Sequence, residues 1–151
     1  TRKDTPIIYR NDEAFRIGGS KVLRSNEADA AAIVAAGITL HETLKAYEEL
    51  KAQGIFIRVI DLYSIKPIDT ATLREAADDT GTLVTVEDHF PEGGMGEAVL
   101  SALSGHGAPV YSLAVRKMPK SGKPDELLDY EEISKNAIVR KVKEIIRDRK
   151  Q

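Results

Sequence analysis

Between residues 30 and 115 the chain alternates short apolar runs with amphipathic stretches. Residues 30–36 are apolar throughout and stop at Gly37; Ile33-Val34 and the short length predict a strand buried on both faces rather than an alanine helix. Thr39-Leu40-His41-Glu42 has the form of a capping box, in which Thr39 accepts from the amide of Glu42 and Glu42 reaches back. Leu40, Leu44, Tyr47 and Leu50 then fall on one helical stripe, which Gly54 closes. Residues 55–60 are β-rich and predict the next buried strand.

The pattern then repeats. Asp69 is a good N-cap for a short helix to about Asp78, Gly81 ends it, and residues 82–87 predict a third strand. Gly93-Gly94-Met95-Gly96 leads into a helix over 97–103 with Val99, Leu100 and Leu103 inward, and residues 110–115 supply a fourth strand. Strand-helix-strand crossovers of this kind are nearly always parallel and right-handed. At the start, Ile7-Ile8-Tyr9 and Lys21-Val22-Leu23 are short extended segments suited to an edge hairpin or an arm. Residues 116–124 predict a Lys/Gly/Pro loop. Ser134 is the N-cap of a final helix to about Arg149, with Ile138, Val142, Ile145 and Ile146 inward and basic residues at its negative pole. The pattern predicts one α/β domain, a mostly parallel sheet with helices on both faces.

Composition narrows the function classes. The 151 residues are 42% hydrophobic and 30% charged, an ordinary globular balance. There is no cysteine, which excludes disulfides and thiolate metal sites. A formal net charge of −2 argues against a nucleic-acid binder, which needs a basic face. No apolar run approaches the roughly 20 residues that cross a bilayer, and the basic start has no apolar stretch behind it. No nucleic acid, no membrane and a cytoplasmic location are the expectation.

The candidate chemistry centres on Val86-Glu87-Asp88-His89 and Glu92-Gly93-Gly94-Met95-Gly96. This stretch follows a strand, where open α/β sheets bind ligands. Glu87, Asp88 and His89 bring two carboxylates beside an imidazole, a set able to exchange protons. Gly93, Gly94 and Gly96 precede a helix whose free amides suit a small anion or a nucleotide phosphate. The pattern is neither of the standard phosphate-loop signatures, and Glu92 and Glu97 would repel a phosphate. His41, His89 and His106 have no metal-ligand spacing, so no metal site and structural roles are expected. Residues 64–69 read as a chain reversal around Pro67. Arg116, Lys117, Lys120 and Lys123 form a local positive loop without interleaved aromatics. No serine sits in a nucleophile elbow.

Taken in order, several segments resemble the C-terminal domain of transketolase. They are Ile7-Ile8-Tyr9 with Lys21-Val22-Leu23, residues 36–42, residues 57–61 through 65–69, Val86-Glu87-Asp88-His89 to Gly93-Gly94-Met95-Gly96-Glu97-Ala98-Val99, and Ser121-Gly122-Lys123-Pro124 with Glu126-Leu127-Leu128. The resemblance implies a three-layer α/β/α domain over residues 6–151 with a five-stranded mixed sheet, four strands parallel and one antiparallel. Residues 1–5 would be the remnant of an inter-domain linker. It also implies partner domains, an N-terminal and a middle one, in a homodimer that binds thiamine diphosphate with Mg²⁺ (or Ca²⁺) and moves two-carbon ketol units between sugar phosphates. The equivalent domain of a thiamine-dependent dehydrogenase β chain or of deoxyxylulose-phosphate synthase is a neighbouring resemblance.

For this chain the resemblance implies a supporting role. The family holds its metal diphosphate with a Gly-Asp-Gly stretch followed by an Asn, and no Gly-Asp pair occurs here; Mg²⁺ needs such oxygen ligands. No catalytic residue and no cofactor of its own are therefore expected, and the isolated chain is expected to be inactive. Arg2 falls where the family carries an arginine that contacts the sugar phosphate, a natural task for a guanidinium.

Overall fold

The computed structural model describes residues 5–150. Its sheet has five strands: β1 (Lys21–Arg24), β2 (Asp29–Ala35), β3 (Phe56–Asp61), β4 (Leu83–Val86) and β5 (Val110–Leu113). They lie in the order β1-β3-β2-β4-β5, with β1 antiparallel to β3 and the other pairs parallel. The helices are α1 (Ile38–Lys51), α2 (Thr70–Thr80), α3 (Met95–Ala102), α4 (Pro124–Tyr130) and α5 (Lys135–Asp148).

The side-chain period of two along the central strand builds two cores. Ala31, Ile33 and Ala35 of β2 pack with α1, α4 and α5 through Leu40, Leu50, Leu128, Ile138 and Val142. Ala32 and Val34 pack on the other face with Leu73 and Ala76 of α2 and Val99 of α3. Three layers result, as expected from a strand without a polar face. The chain runs from β2 outward to β3, then crosses back over β2 to reach β4. That reversal puts α1 on one face and α2 and α3 on the other.

Local signals explain most boundaries. Asp69 caps α2 by accepting from Thr72 N–H at 3.1 Å, and Gly81 ends it in the left-handed region at φ 67°. Ser134 caps α5 by accepting from Ala137 N–H. Other expectations are corrected. The Thr39/Glu42 capping box does not form: α1 begins after Gly37, and both side chains are used elsewhere. Leu100 is 49% exposed rather than inward, because the buried stripe of α3 runs through Met95, Val99 and Leu103 at four-residue spacing and Leu100 lies about 100° off it. Residues 7–9 form no strand, so there is no hairpin; they belong to an irregular arm, and β1 pairs with β3 instead. The α4 turn was not expected: Pro124 opens it at a position where a missing N–H costs nothing.

Candidate functional site

In an open parallel sheet the ligand crevice lies at the carboxyl ends of the strands, where neighbouring connections diverge. Here that point lies between β2 and β4, and Thr39 closes it. The Thr39 hydroxyl, fully buried, donates to Val86 C=O at 2.7 Å, with Ala36 C=O at 2.9 Å as its alternative.

Beside it, the loop from β4 to α3 turns the expected anion site into a closed one. Glu87 is 5% exposed, and its carboxylate accepts from Met95 N–H at 2.6 Å and Gly96 N–H at 3.0 Å. Those are the free donors at the positive end of α3. The glycines exist to let the carboxylate in. A Cβ on Gly94 would meet Glu87 Oε2 and lie 2.7 Å from Phe90 C=O, and one on Gly96 would lie 2.8 Å from Glu87 Oε1. Gly93 N–H goes to Glu97 at 2.8 Å and Gly94 N–H to Pro91 C=O at 3.3 Å. At Gly93, Gly94 and Gly96 every amide already has an acceptor from the chain itself. Nor do Glu87, Asp88 and His89 converge: Glu87 points under α3, Asp88 and His89 are exposed, and His89 Nδ1 bonds its neighbour's carbonyl, Phe90 C=O, at 2.7 Å.

Glu42 performs the same task for α5. It is 6% exposed, accepts from Lys135 N–H at 2.8 Å and pairs with Lys45 at 2.7 Å. Two buried glutamates thus satisfy two helix starts from elsewhere in the chain.

A second polar cluster, not anticipated from the sequence, sits at the carboxyl end of β3. Tyr9 O–H donates to Asp61 Oδ2 at 2.5 Å, and Asp61 is 4% exposed. Burial raises the Asp61 pKa, opposed by the Tyr9 bond, Lys21 and His41. Burial and the Asp61 charge push the Tyr9 phenol up as well. Burial, with Lys45, lowers the His41 pKa from the ordinary imidazole range; Glu42 and Asp61 act the other way. The arm is pinned further by edge-on stacking of Phe15 with Tyr9 and Tyr63, at 4.9 Å in each case. Lys21 lies over the Phe15 ring and pairs with Glu13. The arm, α1 and α4 enclose a cleft of about 990 Å³ that His41, Lys45 and Arg24 line together with apolar side chains. The signal available in the sequence was a carboxylate ending a buried strand directly after Val59-Ile60.

The basic loop is partly neutralised. Lys117 pairs with Glu132 at 3.3 Å, and Lys117 and Lys120 both lie over the Tyr130 ring. Arg2 lies outside the described residues. Among the described residues no group of three or more histidines and carboxylates is placed to hold a metal ion, and no helix is long and apolar enough to cross a membrane.

Comparison with known proteins agrees with this architecture. The family model described as transketolase, C-terminal domain, matches residues 20–138. Transketolase-like protein 2 of Mus musculus is 50% identical over 148 residues, which are 97% of this chain and 24% of that protein. Transketolase of Homo sapiens is 45% identical over the same share of this chain and 24% of its own. A solved structure described as a split-gene transketolase, inactive β4 tetramer, superposes with a TM-score of 0.86 at 35% identity, covering 93% of this chain and 46% of that one. The chain spans about a quarter of the length of the curated relatives it matches. On sequence and fold alike, the chain belongs to the transketolase C-terminal domain family.

Proposed function

We propose that this domain is a supporting module of a thiamine-diphosphate-dependent, cytoplasmic transketolase. In this reading it packs against N-terminal and middle domains within a homodimer and does no chemistry alone. The carrying observation is one of extent: the chain matches its relatives over nearly its whole length but covers only about a quarter of theirs. The activity their names describe therefore belongs to a much longer polypeptide.

The donor chemistry supports the same reading. A magnesium diphosphate needs several oxygen ligands in octahedral array and donors for the phosphates. Among the described residues the buried carboxylates are committed elsewhere, Glu42 and Glu87 to helix starts, Asp61 to Tyr9 and Asp29 to Asn26 N–H and Arg58. The residues present do not fit that group, and no step is assigned through it. A solved relative, of which this chain covers 46%, is described as a split-gene transketolase in an inactive β4 tetramer.

Titration calorimetry of the isolated chain with thiamine diphosphate and Mg²⁺ is expected to show no saturable heat. Mixing the chain with a separately produced N-terminal and middle-domain fragment is expected to restore ketol transfer between sugar phosphates. Micromolar cofactor binding, or turnover by this chain unaided, contradicts the proposal.

A further inference from the structure

The two edges of the sheet are treated differently. β1 is guarded: Lys21 and Arg24 put charge on it, and its register slips between Val22 and Arg24, devices that keep a foreign strand from pairing. β5, at the other end of the strand order, has neither. Residues 108–115 carry no charge, and among the described residues no strand lies on the outer side of β5. Pro109 and Leu113 accept from Leu83 N–H and Glu87 N–H at 3.0 Å each, so the alternate residues Val110 and Ser112 turn their amide groups outward. Arg116 Nη2 reaches the Ser112 carbonyl at 3.5 Å, a bond too long to close the edge.

Exposed apolar side chains flank this edge on both faces. Tyr111, 38% exposed, stands on the face covered by α5, where Lys141 lies over its ring. On the other face the exposed Leu100 is one turn along α3 from Gly96, which faces Thr85 and Ser112.

We propose that β5 pairs with β5 of a second copy of this chain, antiparallel and about a two-fold axis at Tyr111, joining the five strands of each copy into one sheet. Val110 of each copy then exchanges both amide bonds with Ser112 of the other. Tyr111 meets Tyr111 in the close, non-hydrogen-bonded position between them, where facing side chains touch. The two-fold also suits the charges. Beside β5 four basic side chains stand with three acidic ones, a surplus of one positive charge. Lys141 pairs with Glu144 at 2.9 Å, and Lys117 and Arg140 share Glu132 at 3.3 Å. Arg116 has no carboxylate partner among the described residues. Antiparallel pairing carries it toward His106 of the other copy, whose ring bonds the Asp78 carboxylate at 3.0 Å. The two Arg116 side chains are then about 33 Å apart along the strands at 3.3 Å per residue, well beyond a Debye length of about 8 Å. A parallel second copy would bring them together instead. The contact uses this domain alone and stands apart from the supporting role proposed above.

Sedimentation equilibrium between about 10 µM and 1 mM chain is expected to show a monomer–dimer equilibrium with a Kd of about 100 µM, in the weak class of contacts that bury less than about 1,200 Å². Ser112→Pro removes an outward N–H and leaves the ladder to β4 intact, whereas Tyr111→Lys sets like charges at the axis. Each should weaken the dimer at least about tenfold while the chain stays folded by circular dichroism. The chain has no cysteine, so Tyr111→Cys reads the register directly. The paired Cα atoms, about 4.5 Å apart, are within disulfide reach, and mild oxidation should link the copies much faster than in Glu48→Cys, an exposed control on α1. A mass that stays at the single-chain value up to about 1 mM overturns the proposal. So does a dimer that survives both substitutions, or crosslinking no faster through Tyr111→Cys than through Glu48→Cys.

Discussion

Replacing Glu87 by alanine measures what the internal carboxylate contributes. The substitution strands two buried donors, Met95 N–H and Gly96 N–H, which now bond the carboxylate at 2.6 and 3.0 Å. Hydrogen bonds to a charged group contribute about 1.5–3 kcal/mol each, and a buried donor left bare carries its full desolvation penalty. Loss of the anion at the positive end of α3 adds a few tenths to about 1 kcal/mol. The expected loss is therefore about 3–5 kcal/mol, a large part of the roughly 5–15 kcal/mol that holds a domain together. Glu87→Gln keeps one acceptor but turns an NH₂ group toward a backbone donor, so about 2 kcal/mol is expected. Urea unfolding at pH 7, followed by far-ultraviolet circular dichroism, reads both. Formate should restore part of the lost stability in Glu87→Ala and none in the parent, since it supplies the missing carboxylate. A Glu87→Ala loss below about 1 kcal/mol, the range of an ordinary surface change, refutes the capping argument.

Gly94→Ala should destabilise more than any other glycine substitution in the chain, because the new Cβ collides with the Glu87 carboxylate and the Phe90 carbonyl while the backbone itself is unstrained; thermal unfolding compares it with Gly105→Ala, where the added atom meets nothing. Asp69 lies below the ordinary carboxylate range because, although burial opposes its ionisation, bonds from Thr72 and Ser20 outweigh that. Its stabilising contribution is present above the unfolded pKa and lost as pH falls through the folded one. Asp69→Ala should cost about 0.5–2 kcal/mol at pH 7 and flatten the acid limb of the stability curve below about pH 4. Asp61 has the opposite sign: burial raises its pKa, so its contribution is complete in acid and declines as pH rises through the folded value. Asp61→Asn, which keeps an acceptor for Tyr9, should therefore improve stability relative to the parent at pH 7 more than at pH 3, measured by urea midpoints. Arg149→Ala frees the carbonyls of Ala30 and Thr80, now bonded at 2.8 and 2.9 Å, and should lower stability by about 1–3 kcal/mol with hydrogen exchange rising first at the end of α5.

The architecture was legible where its causes are local. The apolar run of residues 30–36 has no polar face, and such a strand needs a helix layer on each side, which is what the two cores supply. Asp69, Gly81 and Ser134 act on amides within four residues of themselves, so their helix boundaries could be read directly. Thr39 and Glu42 fit the local pattern equally well, yet their partners are Val86, 47 positions away, and Lys135, 93 positions away. A capping motif cannot announce that a distant acceptor or donor will compete for it. The same holds for the candidate site. The amides at the start of α3 bond Glu87, a residue first read as a possible acid or base, and nothing in the glycine pattern announces that a side chain from within the chain will take them. Asp61 gained its significance only when the arm brought Tyr9 to it across 52 positions.

The two tethers of the chain lie at opposite rims of the sheet. Tyr9 holds the arm to Asp61 at the carboxyl end of β3, while Arg149 grips Ala30 and Thr80 at the amino ends of β2 and β4. The strands between them are about 20 Å long at 3.3 Å per residue. Drawing residues 5 and 150 apart thus loads the molecule lengthwise along β2 and β3, where the inter-strand bonds must yield together in shear instead of unzipping one after another.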